Sequence, residues 1–142
     1  MFIAARRALI PPLVPAFDAV SSRYARDSTV QRSAADVLLG LAPVGATDDV
    51  LDVGCGTGAL LARVRARTSG RVVGVDPSAG MLEAACRELP AGVALERLAA
   101  EDLPFDAEFD LALSNSALQW FQDVPRALAG VRRALRARGR AA

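Results

Sequence analysis

The feature that most constrains the fold is a short apolar run that leads through a glycine-rich loop into a helical pattern. Residues 50–58 read VLDVGCGTG, and Leu60, Leu61 and Val64 start a helical period directly afterwards. A strand that enters a helix through closely spaced glycines is typical of an open α/β sheet, which binds its ligand at the carboxyl end of that strand. The sequence therefore predicts both a parallel sheet and the position of its binding site.

The strand-to-helix cycle repeats along the chain. Further strands are predicted over 72–75, 93–98 and 109–114, with helical patterns and breakers such as residues 90–92 (PAG) between them. Apolar strands that alternate with helices indicate a parallel sheet covered on both faces. The predicted fold class is therefore α/β, a doubly wound, mostly parallel, Rossmann-like sheet with right-handed crossovers.

Amphipathic helices are predicted at both ends of this region, over residues 30–41 and 124–135. Their predicted buried faces are Val30, Ala34, Val37, Leu38 and Leu41 in the first helix, and Val124, Leu128, Val131 and Leu135 in the last. Residues 1–43 are predicted to form a helical lead-in, and residues 44–142 the binding domain. In the first 17 residues two arginines without an acid leave a targeting peptide open beside a frayed terminus, although three prolines interrupt its helix.

Composition excludes several classes of function. The 142 residues suit one domain, and 17 basic residues, all arginine, against 16 acids leave a net charge of +1 that gives no reason to expect nucleic acid. No apolar run approaches the roughly 20 residues of a membrane-spanning helix. Histidine is absent, so neither a catalytic imidazole nor a metal site is predicted, and no catalytic residue is assigned. Two cysteines, Cys55 and Cys86, fit a reducing compartment, and we expect a cytoplasmic protein.

The glycine loop is the first candidate for ligand binding. Gly54, Gly56 and Gly58 allow a tight turn and a close approach of the backbone to a ligand. The amide groups that begin the next helix favour an anion, such as the carboxylate of a methionine moiety. The loop also satisfies the G-x-G-x-x-A dinucleotide pattern, so it does not identify the ligand by itself.

Two acids make the pattern more specific. Asp52 stands two residues before the first glycine, where a carboxylate orients the loop or attracts an ammonium group, and where an NAD site would gain nothing from a negative charge. Asp76 ends the second strand, where a carboxylate can accept both hydroxyls of a ribose. The purely structural alternatives are a turn-stabilising residue for Asp52 and a helix N-cap beside Pro77 for Asp76.

Four segments resemble, in order, the motifs of class I S-adenosylmethionine-dependent methyltransferases. They are residues 50–58, 73–82 (VGVDPSAGML), 100–105 (AEDLPF) and 109–114 (FDLALS). The resemblance implies S-adenosylmethionine as cofactor, with the Asp of the third motif beside the adenine amino group. The cofactor-binding residues that it implies are Tyr24, Gln31, Asp52, Gly54, Cys55, Gly56, Gly58, Asp76, Pro77, Met81, Glu101, Asp102, Leu103 and Ser114.

A narrower resemblance concerns the methyl acceptor. Tyr24, Gln31 and residues 114–120 (SNSALQW) are similar to the methyl esterases of small acids and acyl carriers, such as malonyl-carrier-protein and trans-aconitate methyltransferases. It implies O-methylation of a carboxylate on a small molecule or an acyl-carrier protein, with Asn115, Gln119 and Trp120 as substrate-binding residues. Trp120 equally suits a core aromatic, and Tyr24 suits helix packing.

The last residues depart from the family pattern. Residues 136–142 (RARGRAA) stand where the family has a Pro-Gly-Gly turn and a fifth strand. We therefore expect a sheet that is truncated after the fourth strand and its helix, an open edge over 109–114, self-association through that edge and little activity of the chain alone. Alternative functions are a non-catalytic cofactor-binding or partner-binding remnant and a nicotinamide-dependent oxidoreductase.

Arginines are dense in the same region, and three interpretations stay open. They form a solvated helix face, a docking patch for an acidic carrier protein, or a tail from a shifted reading frame without a function. The arginines concerned are Arg126, Arg132, Arg133, Arg136, Arg138 and Arg140.

Overall fold

The computed structural model describes residues 29–142, and it contains a parallel five-stranded sheet with helices on both faces. The strand order is β3-β2-β1-β4-β5. The strands are β1 (Val50–Val53), β2 (Val72–Val75), β3 (Val93–Glu96), β4 (Phe109–Leu113) and β5 (Leu135–Ala141), and the helices are α1 (Thr29–Leu41), α2 (Ala59–Arg65), α3 (Ala79–Glu88) and α4 (Val124–Ala134). The predicted α/β, doubly wound class is confirmed, and β3 ends two residues earlier than predicted. No helix in this range is long and apolar enough to cross a membrane.

The sheet separates two apolar clusters. Along β1, Val50 belongs to one cluster, whereas Leu51 and Val53 belong to the other. This alternation is the two-residue period of a strand, and it gives each face its own helices. The first cluster receives side chains from α1, α2 and α3; the second receives Ala127 and Ala134 from α4. The described part of the predicted lead-in, helix α1, thus contributes to the same core as the sheet.

The buried faces of the two outer helices differ in part from the predicted ones, although Leu38, Val131 and Leu135 contact the apolar clusters as predicted. Val37 and Leu41 of α1 are 62% and 79% exposed, and Leu128 of α4 is 51% exposed. The buried positions are instead Ala35, Leu39 and Ala42 at the first helix, and Ala127, Gly130 and Ala134 in the last. A Cβ on Gly130 would lie only 3.5 Å from that of Leu103, so small residues let α4 approach closely the segment beneath it. In α4, close packing places the small residues inward and leaves the larger Leu128 exposed.

The fifth strand corrects the expectation that the sheet stops after the fourth. Strand β5 follows α4 directly and pairs in parallel with β4, with Phe109 opposite Leu135 and Ala112 opposite Ala141. The amide of Ala142 donates to the carbonyl of Ala112, and the amide of Ser114 donates to the carbonyl of Ala142, both at 3.0 Å. The predicted open edge at 109–114 was therefore wrong, because β5 supplies the missing backbone partners.

Arginines hold β5 to the amino ends of β1 and β4. The Arg136 guanidinium donates to Asp49 at 2.7 Å and to Asp110 at 2.6 Å, and Arg140 donates to Asp48 at 2.7 Å. Hydrogen bonds from Arg136 and from the Arg71 amide lower the pKa of Asp49. The pKa of Asp110 is lowered as well, by the Asp49 amide and then by Arg136.

Four of the six clustered arginines thus have partners inside the chain, because Arg126 pairs with Asp102 and Arg133 donates to the Leu103 carbonyl. Arg136 and Arg140 belong to the fifth strand of the sheet, so the last residues do not form an unpaired tail. Arg132 and Arg138 are the two clustered arginines without a described acceptor.

Candidate functional site

The glycine loop leaves β1 at its carboxyl end and turns across β2. The amides of Gly54 and Cys55 both donate to the Val75 carbonyl, at 2.8 and 3.0 Å. Gly54, Gly56 and Gly58 have φ values of 76°, 53° and 82°, a region that favours glycine. A Cβ on Gly54 would lie 2.4 Å from that of Ala117, whereas a Cβ on Gly56 would meet nothing within 4 Å. The loop therefore has no space for a side chain or ligand atom at Gly54, whereas it has open space at Gly56.

Asp76 connects this loop to the start of α3. One of its carboxylate oxygens accepts from the Gly56 amide at 2.9 Å, and the other accepts from the Ser78 amide at 2.9 Å. Ser78, rather than Asp76, caps α3 by accepting from the Met81 amide at 3.2 Å. Pro77, predicted beside Asp76, contributes its carbonyl to Arg97.

Asp52 is the most unusual group at the site. It is 1% exposed, it lies in β1 between Gly74 and Leu113, and its Oδ1 atom accepts no hydrogen bond from the described residues. Desolvation and, second, the charge of Asp76 raise the pKa of Asp52 to about 7. Burial, followed by the charges of these two acids, also raises the pKa of the Cys55 thiol. A buried carboxyl without a partner is costly unless it is protonated or meets a cation.

The residues of the predicted third motif contact α4. Oε1 of Glu101 accepts from the amides of Gln122 and Asp123 at 2.7 and 3.1 Å, which holds the segment that starts the helix. Asp102 forms its ion pair with Arg126 at 2.8 Å. Leu103 is buried in the second cluster. The structure thus gives each of these residues a packing or pairing role, and their part in cofactor binding stays a prediction.

The segment after β4 returns over the first strand. The Ser114 hydroxyl donates to the Val53 carbonyl at 2.9 Å, which ties the carboxyl ends of β1 and β4 together. Ser116 has a φ of 58°, a strained value for a residue with a side chain, and Ala117 then packs against Gly54. Sequence reasoning missed Ala117, because a single alanine gives no signal for such a contact.

The predicted acceptor residues follow in the same segment. Gln119 donates from its side chain to the Ser116 carbonyl at 2.9 Å, and Trp120 is 49% exposed, so it is not a core aromatic. Asn115 comes directly after Ser114. Among the remaining predicted residues, Gln31 lies in α1 and Tyr24 lies outside the described residues. Met81 is buried in α3.

A parallel sheet with this order, a glycine loop after β1 and acids at the ends of β1 and β2 define an α/β nucleotide-binding fold. A family model described as a methyltransferase domain matches residues 51–142. The chain belongs to this methyltransferase family.

Individual proteins that resemble the chain are also named as methyltransferases. The chain is 38% identical over 128 residues to a malonyl-[acyl-carrier protein] O-methyltransferase of Salmonella typhimurium, covering 89% of this chain and 50% of that protein. It is 39% identical over 101 residues to a demethylmenaquinone methyltransferase of Symbiobacterium thermophilum, covering 66% and 40%. A solved S-adenosylmethionine-dependent methyltransferase of Thermotoga maritima superposes with a TM-score of 0.72 at 27% identity, covering 91% of this chain and 59% of its own. The chain spans about half the length of the curated relatives it matches.

Proposed function

We propose that this chain binds S-adenosylmethionine and serves methyl transfer. The observation that carries the proposal is the combination of an open glycine loop with the buried carboxyl of Asp52, whose Oδ1 atom accepts no hydrogen bond from the described residues. A ligand that carries positive charge would relieve the cost of that carboxyl, and the sulfonium and ammonium groups of S-adenosylmethionine supply such charge. Membership of the methyltransferase family supports the same ligand.

The residues of the site fit this cofactor in distinct ways. The open space at Gly56 admits the ligand to the backbone, and Asp76 beside it accepts hydrogen bonds from ribose hydroxyls. Asp52 gives no advantage to a nicotinamide dinucleotide, because a carboxyl at the loop supplies no positive charge to an anionic pyrophosphate. The family match argues against an oxidoreductase.

For the acceptor we propose a carboxylate on a small acid or an acyl-carrier protein. The relatives named as malonyl-carrier-protein methyltransferases support this class, although the match to a demethylmenaquinone methyltransferase shows that the shared region also occurs with another acceptor. The bound cofactor supplies an electrophilic methyl group, and a carboxylate needs no general base. What the chain must provide is alignment and exclusion of water, for which Gln119 and the half-exposed Trp120 are the candidate residues.

Calorimetric titration of the chain with S-adenosylhomocysteine and with NAD tests the proposal. We expect S-adenosylhomocysteine to bind, NAD not to bind, and Asp76→Ala to weaken binding about 5- to 150-fold through lost hydrogen bonds. Asp106→Ala, at an exposed acid away from the loop, is the matched control and should leave affinity unchanged. Tighter binding of NAD, or equal affinity in the two variants, would overturn the assignment. A methyl-transfer assay with malonyl-carrier protein, small acids and a quinone precursor then tests the acceptor class.

A further inference from the structure

One oxygen of the buried Asp52 carboxyl lacks the hydrogen-bond partner that such an atom normally has. Carboxylates that are removed from water are almost always paired with a cation or accept several hydrogen bonds. Oδ1 of Asp52 accepts none from the described residues, although the side chain is 1% exposed. The strand neighbours on either side, Gly74 and Leu113, offer no polar side chain.

The ionisable groups coupled to Asp52 are an acid and a thiol, and neither carries a positive charge. The acid at the end of β2, Asp76, raises the pKa of Asp52, and desolvation is the larger cause. The thiol of Cys55 in the loop is itself influenced by both carboxyls. The arginine that approaches this end of the sheet, Arg97, donates to the Pro77 carbonyl. No positive charge within residues 29–142 therefore balances Asp52, and its charged form is disfavoured.

We propose that Asp52 holds a proton when the loop is empty and releases it to solvent when a positively charged ligand binds, so that binding is proton-linked and selects for charge. In balanced form, the carboxylic acid of Asp52 and a cationic ligand give a carboxylate paired with that ligand and one proton in solution. This inference rests on the proposed function, because it takes the ligand to be a sulfonium or ammonium compound.

Three related ligands separate the contributions of charge and shape. S-adenosylmethionine carries a sulfonium and an ammonium group, S-adenosylhomocysteine carries the ammonium group alone, and methylthioadenosine keeps the nucleoside with neither cation. Calorimetry at pH 6 in buffers of different ionisation enthalpy measures the protons released on binding. Since Asp52 has a pKa of about 7, we expect about 0.9 proton for the first two ligands and none for the third.

The pH dependence of affinity gives a second measurement. A ligand that requires the ionised form gains affinity until Asp52 is deprotonated in the free protein. S-adenosylhomocysteine should therefore bind about tenfold more tightly at pH 8 than at pH 6, whereas the affinity of methylthioadenosine should not change.

Asp52→Asn is the critical variant, because the amide preserves the shape and cannot ionise. It should abolish proton release and weaken S-adenosylhomocysteine about 10- to 150-fold without weakening methylthioadenosine. Asp106→Asn, at an exposed acid outside the predicted cofactor-binding residues, is the control and should keep both affinity and proton release.

Two outcomes would overturn the inference alone. They are S-adenosylhomocysteine binding without proton release, and unchanged release in Asp52→Asn. Failure of all three ligands to bind would reject the proposed function and this inference with it. A carbon-detected NMR titration of the ligand-free protein checks directly whether Asp52 holds a proton when the loop is empty. An Asp52 carboxyl that titrates near pH 4 would refute this.

Discussion

The burial of the Asp52 carboxyl, which supports its binding role, also makes the ligand-free folded state less stable. The unfolded chain releases this proton near the ordinary pKa of 3.8, whereas the folded chain keeps it to about pH 7. The folded state therefore binds more protons between these values, and the free energy of unfolding falls as pH rises through that window. Above pH 7 the full cost of burying the charged Asp52 carboxylate is present, and it lowers the free energy of unfolding by roughly 4 kcal/mol.

Asp52→Asn should therefore stabilise the ligand-free protein most at pH 8 and least at pH 4. The reason is that the amide has no charge to desolvate, although it still needs hydrogen bonds. Urea unfolding of both proteins at pH 4, 6 and 8 measures the difference. Equal stabilities at pH 8, or a gap that does not grow with pH, would show that Asp52 has an ordinary pKa.

Gly54 and Gly56 form a matched pair for mutation, since both have positive φ but only one has space for a side chain. Gly54→Ala should destabilise the fold by more than about 2 kcal/mol, because strain adds to a contact of 2.4 Å with Ala117. Gly56→Ala should cost only about 1 kcal/mol and yet block ligand binding, because the new methyl group projects into the proposed ligand space. Thermal unfolding and calorimetry on both variants check this. A Gly56→Ala protein that binds normally would place the ligand elsewhere.

Site residues could be predicted from the sequence where the residue type is unusual for its position, such as clustered glycines or an acid in an apolar strand. Residues that occur in many structural settings, such as alanine, could not be predicted in this way. Glycine spacing and an acid in an apolar strand predicted the loop and Asp52 as site residues, whereas the open space at Gly56 and the burial of Asp52 came only from the structure. The contact of Ala117 with Gly54 and the pairing of Asp102 with Arg126 depend on where distant segments meet. No local pattern encodes such meetings.

At the scale of elements, ion pairs fix the position of β5, although its composition does not predict a strand. The segment reads LRARGRA and resembles no buried strand, because three of its seven residues are arginine. Two of these arginines reach acids far away in sequence, and Arg136 joins Asp110 and Asp49 across 26 and 87 positions. The strand could not be predicted because the partners that fix it lie on other strands.

Arg136→Met should loosen β5 while leaving the rest of the sheet folded. Hydrogen exchange at the amides of Ser114 and Ala142, which pair across β4 and β5, should become faster. Arg138→Met, at an arginine of the same strand without a described acceptor, should leave these rates unchanged. Equal effects of the two changes would mean that general charge, and not the pairing with Asp49 and Asp110, holds the strand.

Acid should have the same effect on β5. The pKa values of Asp49 and Asp110 are lowered, so their contribution to stability is present above the ordinary value of 3.8 and is lost as pH falls through the lowered values. The contacts of Arg136 should therefore persist at pH 5 and disappear only below pH 3.8. NMR shifts of the β5 amides, followed from pH 6 to pH 2, measure this. A transition centred above pH 4 would contradict it.

At the scale of the whole molecule, strand order determines where the site lies. In the order β3-β2-β1-β4-β5 the connections from β1 and β4 diverge to opposite faces, which leaves a crevice at their carboxyl ends. The glycine loop, Asp76 and the segment after Ser114 all lie at these ends. A binding site at the carboxyl end of β1 was predicted from the glycine loop, whereas the strand order was not, because the alternation of strands and helices fits more than one order.

A ligand in that crevice contacts segments from both sides of the sheet, so binding should stabilise the entire domain rather than the loop alone. At a free concentration 100 times its dissociation constant, S-adenosylhomocysteine should add about 2.7 kcal/mol to the free energy of unfolding. For a chain of 142 residues this corresponds to a rise in Tm of roughly 8 to 14 °C. Calorimetric scans with S-adenosylhomocysteine, and with NAD as the control, measure the shift. If the ligand binds by titration calorimetry but Tm does not rise with its concentration, the bound segments do not unfold together with the sheet, and the site belongs to a locally unfolding region.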